Sequence, residues 1–457
     1  MFGYGRRAPA RGRSQALQCL WTLPLCWLAG LLLLWLAFLI PGDAAFRHAE
    51  DSLGLLQNEG LHYNLGHEYD HYKQDTKLDG FTDLLMINFS TNVAQERETT
   101  PLARAVSPAW VAAESAENEY DSAQLLSFLE RPDENVESHY FRRYWLGYIL
   151  PLRLLFTFLR LDQIRVLAGV VQCLLTLLCC LVVGKKTNWL CALTILAAYY
   201  ALQPVALSQS LSFTPPFYVA MAGCLAAACT AGKRPPMVAP MRLFMLLGAS
   251  VVYLDSLTYP LITLGLPLTV ALTAQGDALG KAPLKRSLLY LFQVGAAWAF
   301  GYLGLWAGKW LVTWLAGYTD IFQEAMAAAE ERTSVGGYSL TLTLLGLETY
   351  CFTRRKLALL LLPAVLGLGL SAVQLRRTRL FGEAGKRALL FGSVALLPVA
   401  WTAVLLNHTS LHWFFTHRMT CVFFAAFTMA CGCGYVRDRL PPWRHSKSVQ
   451  KKDSSHT

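Results

Sequence analysis

Apolar runs long enough to cross a bilayer constrain this chain more than any other feature. Residues 17–40 and 357–375 are mostly hydrophobic, and about 20 such residues in a helix match a hydrocarbon core of about 30 Å. In that solvent every backbone polar group must find its partner inside the segment, so such runs are helices. At 54% hydrophobic and 15% charged over 457 positions, the composition departs from that of soluble domains. The expected fold class is an all-α polytopic membrane protein.

Charge is unevenly divided. Residues 43–142 hold 19 of the 30 acidic side chains against 7 basic ones, so this stretch is strongly negative while the rest of the chain is positive. A bundle that only spans the bilayer needs no such segment, which makes it a water-facing loop suited to chemistry or recognition. The remaining basic residues collect in short runs between apolar segments, as the positive-inside rule expects. They form no continuous stripe, which argues against a nucleic-acid partner. The twelve cysteines lie almost wholly in apolar segments and none falls in the acidic stretch, so no disulfide framework is expected.

These signals give an order along the chain. Residues 1–16 form a basic cytoplasmic N-terminus, and 17–41 a first transmembrane helix read as a retained signal anchor. Residues 42–143 form the acidic extracytoplasmic loop with partial helical structure. Residues 144–436 form an interfacial segment and a multi-span domain, and 437–457 a basic cytoplasmic tail. About ten transmembrane helices satisfy nearly every charge run, with both termini cytoplasmic in the cell membrane. One run conflicts: Arg354, Arg355 and Lys356 fall on the outer side, where they would snorkel to the headgroups.

In this threading the short turns 208–216, 255–260 and 407–418 face the same side as the acidic loop and could line one cavity. Asp79 and Asp83 stand four apart, which puts both carboxylates on one helix face. Such a pair can bind a divalent cation, or supply a base whose neighbour raises its pKa; Asp79 can equally be a helix cap. The turn from Asn407 to Arg418 carries His408, His412 and His417. Arg418 suits a phosphate, His408 and His412 have metal-ligand spacing, and an aromatic belt with snorkelling cations explains the turn as well. Arg142, Arg143, Arg153, Arg160 and Arg165 follow the loop at headgroup level, where they would dock an anionic lipid phosphate or hold the segment at the surface. His67-Glu68-Tyr69-Asp70-His71 matches a zinc-protease pattern, but sits among polar residues without an evident third ligand. Asn88-Phe89-Ser90 and Asn407-His408-Thr409 are glycosylation sequons.

The plan as a whole resembles the GT-C superfamily of membrane glycosyltransferases, including bacterial members. The resemblance rests on the one-span-then-large-loop architecture and on three stretches. These are the Asp79/Asp83 segment, Arg142-Arg143-Tyr144-Trp145-Leu146-Gly147-Tyr148, and the turn His412…Phe415-Thr416-His417-Arg418. It implies a polyprenyl-phosphate lipid donor and a cell-envelope glycan or lipid acceptor. An acidic loop residue would take the acceptor's proton: Asp79 or Asp83, with Glu50 and Asp51, the only acidic pair close behind the first span, next. Arg153, Arg165 and Arg418 would contact the donor phosphate, supported by His412. A membrane transporter or lipid flippase is the competing reading. It expects ionisable residues deep in the membrane and internal repeats. A non-catalytic receptor would use the loop for binding alone, and a membrane zinc metallopeptidase is a further alternative.

Overall fold

The computed structural model describes residues 8–66, 74–96, 99–114, 122–132, 134–230 and 236–435. Helices dominate, and among the described residues the sheet is a single two-stranded hairpin. The chain is an all-α, multi-pass membrane protein. Seven helices are long and apolar enough to cross a bilayer: Ser14–Leu39, Leu161–Lys186, Leu211–Thr230, Leu284–Leu315, Arg354–Thr378, Phe381–Val404 and Trp413–Cys431. Four apolar helices are shorter: Ile149–Phe158, Trp189–Ala201, Met241–Leu254 and Ile262–Gln275. The long helices expose apolar flanks, such as Leu25 and Leu28, Leu174 and Leu177, Leu362 and Val365. In water these would be costly; hydrocarbon solvates them.

Packing inside the bundle depends on small residues. Met241–Leu254 lies against Leu284–Leu315 so closely that a Cβ at Gly248 or Gly301 would overlap the facing backbone. Close backbone approach of this kind holds membrane helices together where lipid removes the hydrophobic drive.

The acidic stretch folds into a cap whose apolar core is continuous with that of the bundle. Helices Asp43–Glu50, Leu53–Glu59, Gly80–Thr91, Pro101–Val106 and Ser122–Glu130 surround an antiparallel pair, Ala109–Ala113 with Val136–Tyr140, in which Trp110 faces His139. Gly80–Thr91 is the central element, because every residue from Asp83 to Thr91 is buried. Asn88 ties it to the hairpin, its Nδ2 donating to the Val111 carbonyl at 2.8 Å and its Oδ1 accepting from the Val111 N–H at 2.9 Å. The amide of the first sequon is thus committed to the cap's core. Leu84, Leu85, Phe89, Leu125 and Phe128 join Ile149, Leu152 and Phe156 of the bundle in one apolar core.

Candidate functional site: a polar cavity joined to an aromatic groove

Each short turn is bonded to the cap or to another turn. Asp83 accepts from Ser210 Oγ (3.0 Å), Leu211 N (3.1 Å) and Ser212 N (2.9 Å), so the turn before Leu211–Thr230 is bound to the cap's central helix. Tyr148 and Ser256 line the same cavity, and His408 Nε2 lies 3.0 Å from the Leu257 carbonyl. Gln74 N donates to the Tyr350 carbonyl at 2.8 Å.

Between these elements lies a cavity of about 670 Å³. The cap contributes His62, Lys77, Asp79 and Thr82, and the junction segment Tyr144 and Tyr148. The helices Ile321–Thr333 and Leu406–Leu411, with the turn after them, contribute Glu331, Arg332, Asn407, His408 and His412. The junction is held rigidly: Trp145 Nε1 donates to the Leu305 carbonyl at 2.8 Å and Gly147 N to the Tyr253 carbonyl at 2.7 Å. Gly147 is required there, since a Cβ would enter the Tyr253 ring. Next to this cavity runs a groove of about 450 Å³ walled by Trp298, Tyr302, Trp306, Trp310 and Trp401, with Ala325, Ala328 and Ala329. Tyr144 and Arg332 belong to both walls, and the Arg332 guanidinium donates to the Tyr144 hydroxyl. Arg143, paired with Glu324 at 3.1 Å, also lines the groove.

The two candidate bases differ in fate. Asp79 caps Gly80–Thr91, its Oδ1 accepting from Thr82 N at 3.2 Å, while Ser212 Oγ donates weakly to Oδ2 at 3.4 Å. Asp79 is among the residues that line the cavity, and burial pushes its pKa up, partly offset by those hydrogen bonds. Asp83 does not line the cavity, and both its oxygens are engaged by the turn 210–212. Burial and the nearby Asp79 raise it to about 7. The pair therefore splits into an available carboxylate and a structural clasp, which leaves no open two-carboxylate seat for a cation. Glu50 and Asp51 lie exposed at the end of Asp43–Glu50, away from the cavity.

The arginines expected at the donor phosphate are engaged elsewhere. Arg153 is fully buried against Glu96 and the carbonyl of Ile40. Arg165 makes a bidentate pair with Glu59 at 2.6 and 2.7 Å. Arg418 is fully buried over the Phe213 ring at 3.8 Å and donates to the carbonyls of Phe414 and Asp75. None of the three lines the cavity; its cations are Lys77 and Arg332. Arg160 pairs with Asp162 in the open, and Arg142 stacks on Tyr140 and Tyr318. His412 does reach the cavity, its ring stacked on Phe415 with centroids 5.0 Å apart. Burial, reinforced by neighbouring charges, lowers His408 to about 3 and His412 to about 4, with Arg332 acting on both. Both imidazoles are neutral at physiological pH.

The conflicting basic run also finds its explanation. Lys356 is buried and pairs with Asp75 at 3.0 Å, which Gln203 also contacts, so the cap supplies the counter-charge for the start of Arg354–Thr378. Tyr144 stood within the stretch quoted for the resemblance, but Lys77 and Arg332 carried no motif. Nothing in residue order singled out Arg332. The zinc-protease match at 67–71 lies outside the described residues. Among the described residues no three His, Cys, Asp or Glu side chains cluster as metal ligands.

No protein-family model matches the chain, and comparison with curated proteins and with solved structures gave no match.

Proposed function

We propose that this chain is an integral-membrane glycosyltransferase of GT-C type, moving a sugar from a polyprenyl-phosphate donor to an extracytoplasmic cell-envelope acceptor. The observation that carries the reading is the joint wall: a polar cavity and an aromatic, hydrocarbon-lined groove share Tyr144 and Arg332. An amphiphile with a polar head, an anionic joint and an isoprenoid tail has the same three parts. The tail lies along Trp298, Trp306 and Trp401, and Arg332 meets the phosphate through its bidentate fork. Lys77 adds a second positive charge on the cavity wall.

Asp79 acts as the base. The acceptor oxygen attacks the sugar's C1, the C1–O bond to phosphate breaks, and the acceptor's proton passes to the Asp79 carboxylate. Polyprenyl phosphate leaves with the bond's electron pair, its charge held by Arg332 and Lys77. Burial raises the pKa of Asp79, which makes its ionised carboxylate a stronger proton acceptor than an exposed one.

The seven long helices, together with Trp189–Ala201, Met241–Leu254 and Ile262–Gln275, support ten crossings with both termini cytoplasmic. The test is mass spectrometry of lipid copurifying with the full chain, followed by sugar transfer in reconstituted membranes. A polyprenyl-phosphate sugar, consumed by wild type and retained by Asp79→Asn, is expected. Translocation of the intact lipid without transfer would replace this reading with a flippase.

A further inference from the structure

The cavity wall opposite the cap's Asp79 is built from two histidines whose hydrogen-bonding state is fixed by the fold. A backbone carbonyl only accepts, so the contact from His408 Nε2 to the Leu257 oxygen at 3.0 Å places the proton on Nε2. Leu257 itself is held in the left-handed region at φ 70°, a conformation a branched side chain adopts only under constraint, and its carbonyl is thereby presented to the ring. A neutral His408 then has its lone pair on Nδ1. His412 stands one helical turn on, the two ring centroids 4.9 Å apart, and its ring lies flat against Phe415. Among the described residues neither His408 Nδ1 nor the His412 ring nitrogens receive a hydrogen bond.

Two uncharged imidazoles beside an aromatic face are poor partners for a phosphate and good ones for hydroxyls. A neutral ring accepts from one hydroxyl and donates to another, and Phe414 and Phe415 offer apolar surface to the C–H side of a sugar ring. The wall's two cations, Lys77 and Arg332, share the cavity with the carboxylates of Asp79 and Glu331 and, on the reading above, with the donor phosphate. A carboxylate on the sugar would find the lone pair of His408, a single neutral N–H on His412 and no remaining cation.

We propose that His408 and His412 are the specificity residues of the cavity and that they select an uncharged, hydroxylated sugar head, a neutral hexose rather than a uronic acid. The inference rests on the lipid-donor reading, and one binding experiment separates the two. The full chain in nanodiscs is titrated with decaprenyl phosphate, with its glucosyl, galactosyl and mannosyl esters, and with its glucuronosyl ester. The variant is the double substitution His408→Gln and His412→Phe. Gln keeps a side-chain N–H for the Leu257 carbonyl but moves the acceptor from the Nδ1 position to the amide oxygen beside that N–H, and Phe keeps the stack on Phe415 without nitrogens.

Wild type is expected to bind decaprenyl phosphate, to bind the best hexosyl ester roughly tenfold more tightly, as one or two net hydrogen bonds allow, and to gain nothing from the glucuronosyl ester. The double variant is expected to bind decaprenyl phosphate like wild type and to lose the hexosyl gain. If the double variant loses decaprenyl phosphate as well, His412→Phe alone is read by the same criterion. Wild-type failure to bind decaprenyl phosphate refutes the lipid reading and this inference with it. Binding of decaprenyl phosphate with no hexosyl gain, a gain that survives in the variant, or equal binding of the glucuronosyl ester overturns this inference alone.

Discussion

The seam that fastens the cap to the bundle and the wall of the polar cavity draw on the same residue types, but the seam pairs charge with charge, whereas Asp79, Arg332 and His408 of the wall hydrogen-bond neutral groups. In the seam, Arg153 meets Glu96, Arg165 meets Glu59, and Lys356 meets Asp75 beneath Arg418. Lys309, deep in Leu284–Leu315, donates to the carbonyls of Ala105 and Val106 at 3.4 and 2.8 Å. In the wall, Asp79, Lys77, Arg332, His408 and His412 surround an open volume instead. A buried charge must find a partner or lose its charge, so the seam's charges are answered inside the protein. Lys77, Asp79 and Arg332 border the cavity and make no ion pair among the described residues. Charge identity alone does not separate structural from functional residues; the location of the compensating group does.

Substitutions that set wall against seam test this division, and the largest effect is expected at Asp79. Asp79→Asn should lower sugar transfer by about 10²–10⁴-fold, the usual contribution of a positioned base, while leaving thermal stability within about 1 kcal/mol. Transfer rates in reconstituted membranes beside a melting curve decide it; a variant that transfers at wild-type rate removes Asp79 from the chemistry. Asp75→Ala should do the reverse. It strips Lys356 of its counter-charge and should cost about 3–5 kcal/mol of stability, seen as a lower denaturant midpoint, with transfer by the surviving folded fraction retained.

Arg332→Ala should weaken lipid-phosphate binding by about 10–100-fold, the worth of one or two charge-assisted hydrogen bonds, whereas Arg418→Ala should lower stability first. Equal losses of affinity in both would erase the distinction between wall and seam.

A smaller effect should appear in the pH dependence of stability. Asp83 is raised by burial and by Asp79 to about 7, above the ordinary carboxyl value near 4, so the folded protein holds this proton more tightly than the unfolded chain. Its contribution to stability is full below pH about 4 and is lost as the pH rises through about 7. The stability difference between wild type and Asp83→Asn, measured by denaturation at several pH values, should therefore shrink or reverse over that window. A flat difference would show that the clasp does not titrate. Arg160→Ala breaks only an exposed pair with Asp162 and should change stability by less than about 1 kcal/mol.

Much of this arrangement was legible from residue order. The apolar runs required helices in a membrane, the acidic stretch read as a water-facing loop with partial helical structure, and the shared side of the three turns followed from charge runs. Asp79 and Asp83 were visible as a pair on one face, but their division was not, because it depends on Ser210 and Ser212, more than 120 positions away. Likewise Arg153, Arg165 and Arg418 looked available until Glu96, Glu59 and the Asp75 carbonyl came against them.

The sequence by itself determined the solvent of each segment, since hydropathy and charge act locally and do not need a partner to be read. It determined the fold class and marked the acidic stretch as a water-facing loop, while leaving Asp79 open between a helix cap and a base until Thr82 N was seen to donate to it. Only the tertiary structure decided which ionisable groups are satisfied and which are left open to a ligand. It did so by bringing Tyr144 and Arg332 together from 188 positions apart and by turning His408 onto the Leu257 carbonyl. Satisfaction of a buried polar group is a property of pairs, and pairs this distant in the chain exist only after the fold has formed.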